Sequence, residues 1–281
     1  MILVLPPLAA EQIFSIGSFP ITNTVINAWL ALGVFFILGL LVRFVWIKNT
    51  TPLGAPKGAL AFIERLVELI LDYMDRVTAD RNRSVRFLPI VGTLFLFILV
   101  ANWMGLLPGT GSIGIWGMHE GHLELIPLFR PANTDLNMTL AMALAAVIGS
   151  HILGVVAIGF WSYSGRFIKI WPVWKAIRTF NPVALLVAVI ELFVGVIEIF
   201  SELAKIVSLS LRLYGNIFAG EVLLTVIASL ASVFVPLPFM ALEIIVGLVQ
   251  ATVFSMLTLV YLNLATTEAH GHTEEAEAAH A

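Results

Sequence analysis

The chain has 281 residues, 59% of them hydrophobic and only 12% charged, with a mean hydropathy of +0.99. A soluble domain carries about 25% charged residues, so this composition describes a multi-span membrane protein with no long soluble segment and no room for an independent catalytic domain. The net charge of −3 selects no partner, and zero cysteines exclude disulfides, thiolate metal sites and cysteine nucleophiles.

Residues 1–23 are expected to form an outer N-terminal segment. Met1 to Ser18 lacks a basic n-region and carries Pro6 and Pro7, so it does not read as a signal peptide. A helix needs about 20 apolar residues to cross the hydrocarbon core. Residues 24–46, 87–107 and 136–161 satisfy this as the first three spans. Two longer segments follow, 183–235 and 237–266, separated by Pro236 and Pro238. Prolines there end one helix and start the next, which makes the pair a hairpin. Between the first two spans, residues 57–78 follow another pattern. Leu60, Ile63, Val67, Ile70, Leu71, Met74 and Val77 share one helical face, and Glu64, Arg65, Glu68, Asp72, Asp75 and Arg76 share the other. This spacing predicts an amphipathic helix on the membrane surface. Residues 267–281 are short, acidic and expected to be a disordered tail. The fold class is therefore all-α integral membrane: five membrane-spanning helices, including a long C-terminal hairpin, and one surface helix.

Eight of the 15 Lys and Arg lie between Arg43 and Arg86, and four more are Arg166, Lys169, Lys175 and Arg178. The positive-inside rule places both loops in the cytoplasm, with the N-terminus outside and the C-terminus inside. Only Arg130, Lys205 and Arg212 remain. Arg212 lies deep in an apolar stretch, where a guanidinium is costly and calls for a partner or a function.

With Arg212 as origin, Asn216, Ser208, Lys205, Ser201, Glu198, Glu202 and Glu191 all fall within about 80° of it at about 100° per residue. That stripe is about 38 Å long at 1.5 Å per residue, so the helix must tilt strongly in the bilayer. Glu221 falls about 180° from Arg212. On the return helix, Gly247, Gln250, Thr258 and Tyr261 lie within about 60° of Glu243. Facing polar stripes can enclose water-accessible paths, or serve as interhelical hydrogen bonds. The second role suits the serines, the threonines and Asn216. Charge at that depth favours the first for Arg212, Glu221 and Glu243. Glu198, Glu202 and Lys205 are expected near the inner interface, where they snorkel or pair with one another. Asn102 and Asp135 mark the earlier spans. Asn133 or Asp135 is expected to cap the third span, and a cap can still line an entrance. His151 reads as a satisfied interhelical hydrogen-bonder. His119, Glu120, His122 and Glu124, and the tail residues His270, His272 and His280, read as exposed loop and tail chemistry rather than metal sites. No phosphate loop or nucleophile elbow is present, and nothing supports nucleic-acid binding.

Ser208-Leu209-Ser210-Leu211-Arg212-Leu213-Tyr214-Gly215-Asn216, followed by Ala219-Gly220-Glu221, resembles the signature of subunit a of F-type ATP synthases. Gln250-Ala251-Thr252-Val253-Phe254 and Leu259-Val260-Tyr261-Leu262 resemble its last helix, and Asn102 to Pro108 and Asn133 to Thr139 its earlier motifs. The resemblance implies a non-catalytic stator subunit of a bacterial plasma-membrane ATP synthase that needs no cofactor. Its implied partners are a rotating ring of c subunits, peripheral-stalk b subunits, the remaining ATP synthase subunits and the lipid bilayer. It implies two offset half-channels, with Arg212 attracting the ring carboxylate and separating them. Asn216, Glu221, Glu243 and Gln250 would line or support the path, with Asp135 and Asn102 as further candidates and Glu198, Glu202, Lys205 and Ser208 on the inner side. The two glutamates are expected to share a narrow outer path and titrate as a pair. Family members often combine an acid at one of positions 221 and 243 with a histidine at the other, and commonly have Arg-Pro where this chain has Lys205-Ile206. The alternatives are a secondary transporter or free-standing channel that binds an anion at Arg212, and a scaffold whose charges are interhelical glue.

Overall fold

Apolar runs punctuated by proline, glycine and capping residues set the order of elements. The computed structural model describes residues 6–49, 58–107, 110, 113–119, 122–167, 178, 182–230 and 234–278. The helices are α1 (Asn23–Asn49), α2 (Ala59–Thr78), α3 (Arg81–Gly105), α4 (Leu136–Ile158), α5 (Phe160–Phe167), α6 (Pro182–Leu230) and α7 (Pro236–Ala278). Among the described residues, four stretches are identified as long and apolar enough to cross a membrane: Asn23–Phe44, Arg81–Gly105, Leu136–Ile158 and Pro236–Thr266. The 49-residue α6 carries Glu191, Glu198, Glu202, Lys205, Arg212 and Glu221. Apolar side chains such as Phe36, Phe44, Phe193 and Phe200 point outward, as expected where lipid replaces water as solvent.

Two short antiparallel hairpins interrupt the helical pattern, which hydropathy alone did not anticipate. Strands β1 (Gln12–Ile16) and β2 (Phe19–Thr22) turn at Gly17, whose φ of 65° suits glycine. Strands β3 (Gly114–His119) and β4 (His122–Pro127) pair from Gly114↔Pro127 to His119↔His122. Helix α7 continues through Ala278, past the hydropathy boundary at Thr266, along a segment rich in the helix formers Ala and Glu.

The chain divides into two compact units. The first contains Met1–Thr139 and Leu211–Leu259. Here α2 turns into α3 through Ala79, in the left-handed conformation, and Asp80, which caps α3 by accepting from the Asn82 amide at 2.9 Å. Ile70, Leu71 and Met74 of α2 are buried, while Glu64, Arg65, Glu68 and Asp72 are exposed. Ser84 shares a 2.7 Å hydrogen bond with Thr78, and Arg81 pairs with Asp75 at 2.7 Å and Asp72 at 3.2 Å. The Ser84 hydroxyl and then the Arg81 guanidinium hold the Asp75 carboxyl below the usual carboxylate range. Ala28 of α1, Ala101 of α3 and Ala132 form a small buried core with Phe97 and Met138 packed against it. At the end of α3, Gly105 lies against the Pro131 ring, where a Cβ would overlap it.

The second unit contains Leu140–Ser210 and Val260–Ala281. Gly159, with φ 90°, turns α4 into α5. Tyr163 of α5 then packs on Gly154 and meets His151 Nδ1 at 2.5 Å.

Candidate functional site

Each side chain of the site is placed by the helix or cap that carries it. Asp135 caps α4: its Oδ1 accepts from the Asn137 amide at 2.9 Å, and its Oδ2 accepts from the Thr24 hydroxyl at 3.1 Å. Of the two cap candidates, Asp135 therefore fills the position. Asn133 instead donates to Asn102 Oδ1 at 2.7 Å. Asn102 donates in turn to the Gly247 carbonyl at 3.4 Å, and the Trp103 indole donates to the Ile244 carbonyl at 3.1 Å. These bonds join α3 and the 3-10 turn Ala132–Thr134 to the stretch of α7 that carries Glu243. Asn102 and Asn133 thus converge on the return helix, whereas Asp135 is held by Thr24 of α1.

Glu243 is buried at 9% exposure, and its carboxylate rests on Gly220, the residue before Glu221. A side chain at position 220 would occupy the space of that carboxylate, so the bare backbone of Gly220 lets α6 and α7 approach here. Among the described residues, Glu243 makes no ion pair.

Glu221 has a charged partner that the sequence did not reveal. Arg130 Nε donates to both its carboxylate oxygens at 2.9 and 3.1 Å, and a terminal Arg130 nitrogen donates to Oε2 at 3.0 Å. The Arg130 guanidinium also donates to the Ala9 carbonyl at 3.2 Å and the Pro7 carbonyl at 2.9 Å. It lies 5.8 Å from the Phe218 ring, which is stacked on Tyr214. The Arg130 side chain is 2% exposed and that of Glu221 19%. Removing one member of such a buried pair typically costs about 3–5 kcal/mol, since the other charge is left uncompensated. The available signal was that Arg130 is the lone basic residue outside the two basic loops and the long polar helix. Its partner, 91 residues away, was not readable.

Arg212 is exposed on α6, in a stripe with Leu211, Gly215, Asn216 and Ala219, while Leu209, Leu213 and Ile217 face inward. Among the described residues, apart from its chain neighbours and its own helical backbone, nothing stands within 4 Å of where a Gly215 Cβ would be. Gln250 is half-buried on α7.

The inner-side candidates lie in the second unit. Lys205 pairs with Glu202 at 2.6 Å and sits 5.0 Å from the Tyr261 ring. Glu202 also lies 3.5 Å from His151 Nε2. Thus Glu202 and Lys205 do pair, and His151 is satisfied by Tyr163 and Glu202. Glu198 is half-buried and Ser208 exposed. The side chains of His119, Glu120, His122, Glu124, His270, His272 and His280 lie outside the described residues.

This arrangement places two carboxylates of unlike surroundings, one ion-paired and one buried without an ion pair, at the contact between two helices. The same helix carries an exposed arginine on another face. The chain also matches the model of the ATP synthase A chain over residues 25–263, which includes every site residue. The chain belongs to the ATP synthase subunit a family. It is 31% identical over 259 residues to ATP synthase subunit a 2 of a Bradyrhizobium species, covering 92% of this chain and 95% of the relative. It is 29% identical over 261 residues to ATP synthase subunit a of Moorella thermoacetica, covering 93% and 97%. It is also 29% identical over 257 residues to a sodium ion specific ATP synthase subunit a of Propionigenium modestum, covering 91% and 78%. As a member of the ATP synthase subunit a family, the chain is a multi-pass membrane subunit concerned with ion transport and ATP synthesis.

Proposed function

We propose that this chain is the proton-translocating stator subunit of an F-type ATP synthase, forming two offset half-channels against a rotating c-ring. The observation that carries this reading is the exposed stripe of Leu211, Arg212, Gly215, Asn216 and Ala219 on α6. The small residues Gly215 and Ala219 let another helix approach closely, and the nearby Arg212 guanidinium meets a carboxylate on that partner. Protons from outside reach the ring by way of Asn102, Asp135, Glu221, Glu243, Asn216 and Gln250. A proton bound there neutralises a ring carboxylate, which then enters the lipid phase and rotates. On the inner side the carboxyl group releases its proton toward Glu198, Glu202, Lys205 and Ser208. The ionised carboxylate next meets Arg212, whose fixed positive charge repels protons and prevents direct passage between the half-channels.

This reading makes α6 a fifth span and the α6–α7 pair a tilted hairpin. It lays α2 on the cytoplasmic surface, with the N-terminus outside and the C-terminus inside a bacterial plasma membrane. The ring of c subunits and peripheral-stalk b subunits are its partners. The test is purification in mild detergent after Asn216→Cys. A ring of small hairpin subunits and a nucleotide-hydrolysing head should accompany the chain, and oxidation should cross-link position 216 to a cysteine beside the ring carboxylate. Isolation of the chain alone, with no cross-link in native membranes, would contradict the proposal.

A further inference from the structure

The Arg130 side chain has no role in the account above, yet it holds one of the proposed relay groups by both oxygens. We infer that Arg130 is a positioning residue of the outer proton path, acting through the Glu221 carboxylate and anchored by the N-terminal segment. The inference rests on the proposed path and adds a residue to it.

The geometry is that of a built site. Both oxygens of Glu221 are engaged by one edge of the guanidinium, and Pro7 and Ala9 carbonyls take N–H groups from its terminal nitrogens. The backbone of Arg130 is fixed as well, since Asn27 of α1 donates to its carbonyl at 2.8 Å. The Tyr214 hydroxyl donates to the Leu8 carbonyl at 3.4 Å, which ties the same N-terminal segment to α6 one turn before Phe218. A bidentate arginine fixes the plane and position of a carboxylate in a way a point charge does not. The Glu243 carboxylate rests against Gly220, the residue before Glu221, so the two acids are carried at the same contact of α6 and α7. Glu11 is the other charged group that acts on Glu221 through space. The two carboxylates therefore have separate duties: Glu221 is held as a fixed acceptor, and Glu243, which makes no ion pair among the described residues, exchanges the proton.

The test compares Glu221→Gln, Arg130→Gln, Arg130→Lys and the double variant Arg130→Gln with Glu221→Gln. Each is measured in the whole complex in membrane vesicles for assembly, ATP-driven proton pumping and its pH profile. Arg130→Gln should slow pumping on the order of tenfold to a hundredfold, the scale expected when a reacting group is misplaced by about 1 Å. Its pH profile should differ in shape from wild type, a change that simple loss of assembled complex does not produce. Arg130→Lys should recover part of the rate. The double variant should pump no more slowly than Glu221→Gln alone, because Arg130 acts through that carboxylate.

Should Arg130→Gln fail to assemble, the double variant decides. Assembly restored by neutralising Glu221 supports the pairing, and assembly still absent assigns Arg130 to the fold alone and overturns the inference. Wild-type pumping and pH profile in Arg130→Gln, with Glu221→Gln impaired, would also overturn it while leaving the path intact. Normal pumping in Glu221→Gln, Glu243→Gln and Arg212→Ala would instead overturn the path itself.

Discussion

Gly220 shows how a single missing Cβ positions the chemistry. The Glu243 carboxylate occupies the space where a side chain at 220 would stand. Gly220→Ala should displace Glu243 and slow ATP-driven pumping, while the subunit still appears in purified complex. An unchanged pumping rate would show that Glu243 has no part in the path. Gly105→Ala sets a Cβ into the Pro131 ring and is expected to cost about 1–3 kcal/mol, the usual penalty for overpacking, read as a lower unfolding temperature. At this scale the sequence was partly legible. Arg212 stood out because a guanidinium in an apolar run calls for a partner or a function. The Glu202–Lys205 pair was legible because its members stand three apart on one helix. The Arg130–Glu221 pair was not, because its residues lie 91 apart and periodicity carries no information across a loop. Asn133 and Asp135 were both plausible caps, and their roles are separated by the Asn137 amide bond to Asp135 and the bond from Asn133 to Asn102.

The α2–α3 corner makes predictions that belong to whole elements. The Asp75 carboxyl is held below its ordinary value of 3.8 by Ser84 and Arg81. A depressed folded-state value means that its stabilising contribution is present above the unfolded value. That contribution is lost as pH falls through the folded value. Acidification below about pH 4 should therefore loosen this corner first, seen as faster amide exchange in α2, and Asp75→Asn should remove the pH dependence. The effect is small, because the pair is solvent-exposed. The surface position of α2 is tested by Glu68→Cys and Asp72→Cys in this cysteine-free chain: a water-soluble maleimide should label both from the cytoplasmic side only. Labelling from the outside would contradict the topology. The helices were legible at this scale because long apolar runs and the alternation in α2 have strong periods. The β1–β2 hairpin was masked by its shortness, although Gly17-Ser18 between Ile16 and Phe19 is a turn signal. Helix α3 begins at Arg81 rather than at the apolar boundary near Phe87. Asp80 caps it there, and Pro89 is tolerated inside the helix, where the Thr93 hydroxyl bonds the Pro89 carbonyl at 2.5 Å.

For the molecule as a whole, family membership and the arrangement of charges make one account. Nearly all of the chain aligns with ATP synthase subunits a, and the proposed reading makes the exposed Arg212, flanked by Leu211, Gly215, Asn216 and Ala219, the group that meets a moving carboxylate. Membrane character was legible from composition alone, whereas the division into two compact units depends on contacts that hydropathy does not encode. The central claim is that the fixed charge of Arg212 couples proton flow to rotation. The measurement is ATP-driven proton pumping in inverted membrane vesicles holding fully assembled complex with Arg212→Ala. The account predicts that pumping is abolished, with passive proton conductance retained or raised because the electrostatic barrier is gone. Arg212→Lys should fail as well, since a compact ammonium lacks the planar fork. Coupled pumping at the wild-type rate in assembled Arg212→Ala complex would contradict it.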